Sequence, residues 1–150
     1  MLRRLVVLFC VESHYAVCEV ILKDRVMRIS DGLDKPLSKW SPQAEYVLKK
    51  IGVVPPDTYV NIIGRQMGAT IVMNGIPPWN LLPDDFLHQS DGHNCGPIAC
   101  LKFMDLFHIM PKAVVEKSKQ TYRQLVTQQY SVLFEKMKFD LVIAQRTSFE

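Results

Sequence analysis

The stretch Gln89-Ser90-Asp91-Gly92-His93-Asn94-Cys95-Gly96-Pro97-Ile98-Ala99-Cys100 runs from a polar, turn-prone segment straight into an apolar helix, with a cysteine at the junction. Gly92 and Asn94 favour a tight turn. Gly96 carries no side chain, so a second backbone can approach beside Cys95. Pro97 suits the first turn of a helix, where its missing N–H is not needed. Ile98, Leu101, Met104 and Leu106 then recur at roughly helical spacing. The spacing predicts a central helix from Cys95 to about Ile109. A cysteine at its N-terminus is exposed to the helix dipole and to free N–H groups, both of which favour the reactive thiolate.

A nucleophilic cysteine also requires a base, a group that orients the base, and donors for an oxyanion. His14 begins the apolar run His14-Tyr15-Ala16-Val17-Cys18-Glu19-Val20-Ile21, and Asp31 follows a second run, Val26-Met27-Arg28-Ile29-Ser30. Two adjacent antiparallel strands bring His14 and Asp31 side by side at one end of a sheet. Gln89, shortly before Cys95, is a candidate side-chain donor to the oxyanion. Each residue also has a plainer reading. Cys95 alone is a small buried hydrophobe, His14 an ordinary surface or core histidine, Asp31 the start of an Asp-Gly turn, and Gln89 a surface residue. The ordered set favours chemistry.

That set resembles a known family. His-aromatic, then Asp at the end of the next strand, then Gln-x-Asp-Gly-x-Asn-Cys-Gly, is similar to the cysteine proteases that act on ubiquitin-like modifiers, the SUMO-protease type. The resemblance runs from about Leu5 through the helix after Cys95, and more loosely to the C-terminus. It implies an α+β, papain-like fold of the ubiquitin-like-protease type, in which an antiparallel sheet packs against the nucleophile helix and a C-terminal helix. It implies that residues 1–150 form one cysteine peptidase domain with catalytic residues His14, Asp31, Gln89 and Cys95. The implied activity is hydrolysis after the C-terminal glycine of SUMO or a relative, in deconjugation or precursor processing, with no metal or cofactor. The implied partners are the modifier and its conjugates. The family has Trp after the histidine where this chain has Tyr15, an aromatic expected to pack over the ring. Family domains carry helices before the histidine strand, whereas thirteen residues precede His14 here. The chain is therefore expected to lack that N-terminal part and to leave one side of the strand Leu5 to Val11 partly uncovered. The alternatives are a catalytically inactive modifier-binding module and an acyltransferase on the same scaffold.

Composition fits this frame. At 150 residues, 48% hydrophobic and 22% charged, the chain suits one globular domain with a real core. A net charge of +3 gives no argument for nucleic acid, and the basic residues from Lys112 to Lys138 read as a solvated helix face. Cys10, Cys18, Cys95 and Cys100 form no disulfide framework, so an intracellular setting, nucleus or cytoplasm, is expected. The opening Met1-Leu2-Arg3-Arg4-Leu5-Val6-Val7-Leu8-Phe9 imitates a signal peptide, but no small-residue cleavage site follows, and a core strand is the better reading. No segment is long enough to span a membrane. His88, His93, Cys95 and Cys100 match no usual zinc spacing.

Along the chain, strands are expected at Leu5 to Val11, 15–22 and 25–30, as a meander turning at Lys23-Asp24. Ser41-Pro42 reads as a helix N-cap followed by proline, with a helix to Ile51 ended by Gly52. Further strands are expected at Tyr59 to Ile63, Ala69 to Met73 and Phe86 to Gln89. Pro77-Pro78 and Pro83 mark irregular structure around Trp79. A long helix opens at Pro111, with Val114, Val115, Leu125, Val126, Leu133 and Phe134 as core candidates. Trp40, Trp79 and Cys100 are read as core or loop anchors.

Overall fold

The computed structural model describes residues 3–57, 60–63, 69–73 and 76–129. The first three strands are a meander: β1 (Arg4–Val11), β2 (His14–Ile21) and β3 (Val26–Ser30), each antiparallel to the next. The β1–β2 turn has two residues, Glu12 and Ser13, both at positive φ (51° and 62°). That is the primed turn whose twist matches a hairpin, made here without glycine or asparagine. It starts β2 at His14.

A single 3-10 turn, Leu37–Lys39, leads into α1 (Ser41–Lys50). Ser41 does not cap the helix. Trp40 holds the N-cap position, and the Ser41 hydroxyl donates back to the Leu37 carbonyl at 3.1 Å. Gly52, at φ 79°, closes the helix with its N–H on the Lys49 carbonyl, the left-handed stop that glycine takes without penalty. The chain then enters β4 (Val60–Ile63), β5 (Ala69–Met73) and β6 (Ile76–Pro83). All six strands form one sheet in the order β1-β2-β3-β6-β5-β4.

Three expectations are corrected here. The sheet is mixed rather than antiparallel, because β6 runs parallel to β3, pairing Val26 with Asn80 through Ile29 with Pro83. The segment around Trp79 is strand, despite its prolines. Pro77 and Pro78 precede the residues that pair with β3, and on the other side they lie at a register shift opposite Ile71/Met73. Proline is tolerated where no ladder bond is asked of its nitrogen. Phe86 to Gln89, by contrast, is irregular chain.

β2 is buried on both faces. Ala16, Cys18 and Val20 join Phe9, Met27, Ile29, Trp79 and Leu81 in a core closed by Leu37, Trp40, Ala44, Val47 and Leu48 around α1. Burying side chains such as Phe9, Met27 or Leu48 outright contributes roughly 1.5–3 kcal/mol each. Val17 and Glu19 alternate to the opposite face. α2 (Cys95–Leu106) packs on β2 and builds a second core from Ile98, Leu101 and Met104 with Phe86, Leu87, Met110, Val115 and Leu125. Buried Lys102 fixes it to the sheet. Its Nζ donates to Asp84 Oδ2 at 2.7 Å, the same oxygen that takes the Ser30 hydroxyl, and it lies 4.9 Å from the centre of the Phe86 ring.

The expected long C-terminal helix is broken. α3 (Lys112–Lys117) stops at Ser118, and residues 122–129 form a separate helical segment. Thr121 and Gln124 explain the restart. Each side-chain oxygen accepts the other's backbone N–H, at 3.2 and 2.9 Å, a capping box. Leu133 and Phe134 lie outside the described residues. β1 is an edge strand, with Phe9 buried, Leu5, Val6 and Val7 half-buried and Leu8 49% exposed.

Candidate active site

The strained Glu12-Ser13 turn sets His14 at the first position of β2, where it is buried. Asp31 is the first residue after β3. Because β2 and β3 are adjacent and antiparallel, the two meet at the same end of the sheet, with His14 Nε2 2.6 Å from Asp31 Oδ1. A carboxylate only accepts, so Nε2 carries the proton, and Nδ1 is the nitrogen left to act as a base.

Asp31 is itself held from several sides. Oδ1 also accepts the Leu33 N–H at 2.9 Å. Oδ2 accepts the Lys35 N–H at 3.0 Å and the Trp40 indole N–H at 3.1 Å. The Trp40 ring also lies against His14, with centroids 5.8 Å apart. The aromatic beside the histidine is thus Trp40. Tyr15, expected in that role, alternates away and is 38% exposed.

Cys95 is the first residue of α2 and is buried. The N–H groups of a helix's first turn have no intrahelical acceptor. Ile98 already donates to the Asn94 carbonyl and Pro97 has no N–H, so those of Cys95 and Gly96 are left facing outward from the helix end. The loop before them is folded by Asp91. Its Oδ1 accepts the N–H groups of His93 and Asn94 at 2.8 and 2.9 Å, and its Oδ2 takes the Asn94 amide at 2.7 Å. The His93 N–H, followed by the Asn94 groups, holds the Asp91 carboxyl below the usual carboxylate range.

Gly32 is where these pieces meet. Its carbonyl accepts the Gln89 N–H at 2.9 Å. A Cβ at this position lies 2.8 Å from Gln89 Oε1 and 3.3 Å from Ile98 Cδ1 in the first turn of α2. The residue next to Asp31 is therefore packed against both Gln89 and the start of the cysteine helix. The Gln89 side chain is turned onto its own loop. Nε2 donates to the Asp91 carbonyl at 2.8 Å, and Oε1 is buried without a partner. One amide hydrogen of Nε2 remains uncommitted.

Three features escaped sequence reasoning. Trp40 has a polar role as well as a packing one, and the available signal was that a buried indole must place its N–H. Asp34 and Asp85 bracket His88, at 2.9 Å from Nδ1 and 2.6 Å from Nε2, tying the loop after Asp31 to the loop before Gln89. Cys100, read as core, is exposed. Among the described residues no cluster of three metal-ligating side chains occurs, and no helix is long and apolar enough to cross a membrane. Comparisons with protein-family models, curated proteins and solved structures returned no match.

Proposed function

We propose that the chain is a cysteine peptidase of the ubiquitin-like-protease type, with a papain-like arrangement, that hydrolyses the bond after the C-terminal glycine of a ubiquitin-like modifier such as SUMO. The observation that carries the chemistry is the 2.6 Å bond from His14 Nε2 to Asp31 Oδ1; it is supported by a cysteine at the N-terminus of α2, a helix whose first turn packs near Gly32, the residue after Asp31. The substrate class rests on the resemblance of the His14, Asp31, Gln89 and Cys95 motifs. The absence of a disulfide framework supports an intracellular setting in the nucleus or cytoplasm.

In this mechanism His14 Nδ1 takes the Cys95 proton, and the thiolate adds to the glycine carbonyl. The oxyanion is held by the Cys95 N–H and by the free hydrogen of the Gln89 amide. Collapse breaks the carbon–nitrogen bond, and the leaving amine takes its proton from His14. Water, deprotonated by His14, then attacks the thioester, releases the modifier's carboxylate and restores the thiol. Asp31 holds the imidazole in the tautomer with Nε2 protonated throughout.

The test is a modifier ending in Gly-Gly and carrying a C-terminal electrophile. The expected result is a covalent adduct at Cys95 that Cys95→Ser abolishes and His14→Ala slows. Several modifiers binding without any adduct would turn the reading to a binding module. Labelling by an acyl-coenzyme A instead would indicate an acyltransferase.

A further inference from the structure

We propose that Trp40 is a positioning residue that locks the Asp31 carboxylate and the His14 imidazole into one fixed arrangement before substrate arrives. Four donors define the Asp31 carboxylate. Two of them, the N–H groups of Leu33 and Lys35, belong to the same short loop as Asp31 and move with it. A third is His14, the group to be oriented. Besides His14 itself, Trp40 is the donor among the four that ties the carboxylate to the core. It is 1% exposed, stacks on Phe9 at 6.2 Å with rings 30° apart, and stands at the start of α1.

The same indole lies against the His14 ring, tilted by 39°. One rigid side chain therefore restrains both members of the pair, one by a charge-assisted hydrogen bond and the other by ring packing. Trp40 and Asp31 also share the wall of a cavity of about 250 Å³ with Asp34, Lys35 and Leu37. A smaller side chain at position 40 extends that space beside the carboxylate. Trp40→Phe is accordingly the informative change, since it keeps a ring and removes the N–H. Trp79→Phe is its matched control, because Trp79 is 3% exposed in the same core.

The inference builds on the proposed reaction, but one arm of its test does not need catalysis. Proton NMR of the full chain should show a low-field His14 Nε2–H in the wild type and in Trp79→Phe, and lose or broaden it in Trp40→Phe. With a hydrolysable modifier substrate, Trp40→Phe should lower kcat by roughly tenfold to a hundredfold, with KM little changed, as a displaced catalytic group does. In an Asp31→Asn background it should cost no more than about twofold further, because groups acting as one unit are not additive. Equal effects in both backgrounds, or a low-field signal retained in Trp40→Phe, would overturn the proposal. If Trp40→Phe does not fold, Asp31→Ala decides. The Trp40 indole N–H resonance should move upfield while that of Trp79 stays, and an unmoved Trp40 signal refutes the bond. A wild type with no reactivity at Cys95 sinks the peptidase reading, while the NMR arms still decide the role of Trp40.

Discussion

Gly32→Ala separates packing from chemistry at the point where the loops meet. Gly32 is outside the left-handed region that Gly52 occupies, so alanine meets no backbone penalty there. The new methyl lies 2.8 Å from Gln89 Oε1, 3.3 Å from Ile98 Cδ1 and 3.4 Å from the Leu87 carbonyl oxygen. The Gln89 oxygen must retreat by about 0.6 Å to reach an ordinary contact. It is the far end of a flexible side chain with no hydrogen bond to lose. The stability cost therefore falls at the low end of overpacking, about 1 kcal/mol, or a Tm lower by about 2–4 °C for a chain of this size. The effect on hydrolysis is larger. The Gln89 amide swings as a unit, so its N–H leaves the oxyanion, and kcat should fall toward the roughly hundredfold loss seen when one donor is removed. The assay is a double-mutant cycle with Gln89→Ala, read by thermal melting and by hydrolysis. Gln89→Ala removes the atom in the way, so Gly32→Ala should then cost neither much stability nor further rate. If Gly32→Ala lowers Tm and kcat equally in both backgrounds, the clash with Gln89 is not the cause and the reasoning fails.

Brief iodoacetamide treatment near neutral pH should label Cys95 ahead of Cys10, Cys18 and Cys100 by mass spectrometry. Exposed Cys10 is the accessible control, whereas burial pushes the Cys100 thiol up and, reinforced by Glu19, pushes the Cys18 thiol far up; equal labelling counts against an activated thiolate. The hydrogen bond that His88 donates to Asp85 leads the causes that raise the His88 pKa above its usual 6.5, with Asp34 adding to it. Its contribution to stability is therefore complete below that ordinary value and is lost as pH rises through the raised one. His88 is 54% exposed, so His88→Gln should remove no more than about 1 kcal/mol of pH-dependent stability; a Tm-against-pH curve identical to wild type refutes it. Lys102→Met should destabilise by about 3 kcal/mol because it strands Asp84 beside Ser30, and Asp84→Asn in the same chain should recover much of that in denaturant melts.

The N-terminal meander was legible because apolar runs of strand length alternate with short polar turns. The start of α2 was legible because Asn94-Cys95-Gly96-Pro97 changes composition within four residues. β6 was not, because proline is a reliable breaker only when the pairing is known, and the shift opposite Ile71/Met73 is a property of the partner strand. Its parallel alignment with β3 was hidden for the same reason. The break at Ser118 was open to a closer reading, since Thr121-x-x-Gln124 is a capping box in the bare sequence. The positions of His14 and Asp31 followed from strand order. Trp40 did not, because nothing in the spacing says which buried indole will reach a carboxylate. Nor does the type of residue Gln89 is say that its amide turns onto Asp91.

The parallel junction of β3 and β6 has a kinetic meaning. His14 and Asp31 belong to neighbouring strands of a local meander, whose loops close cheaply. Gln89 and Cys95 follow β6 in the chain, and β6 pairs with β3 only after the chain has come back from a strand that ends at Ser30. Such distant pairing is slow to form. The order of strands therefore lets the His14–Asp31 pair form before α2 docks, and on the chemistry proposed above the activation of Cys95 would be one of the last acts of folding rather than the first.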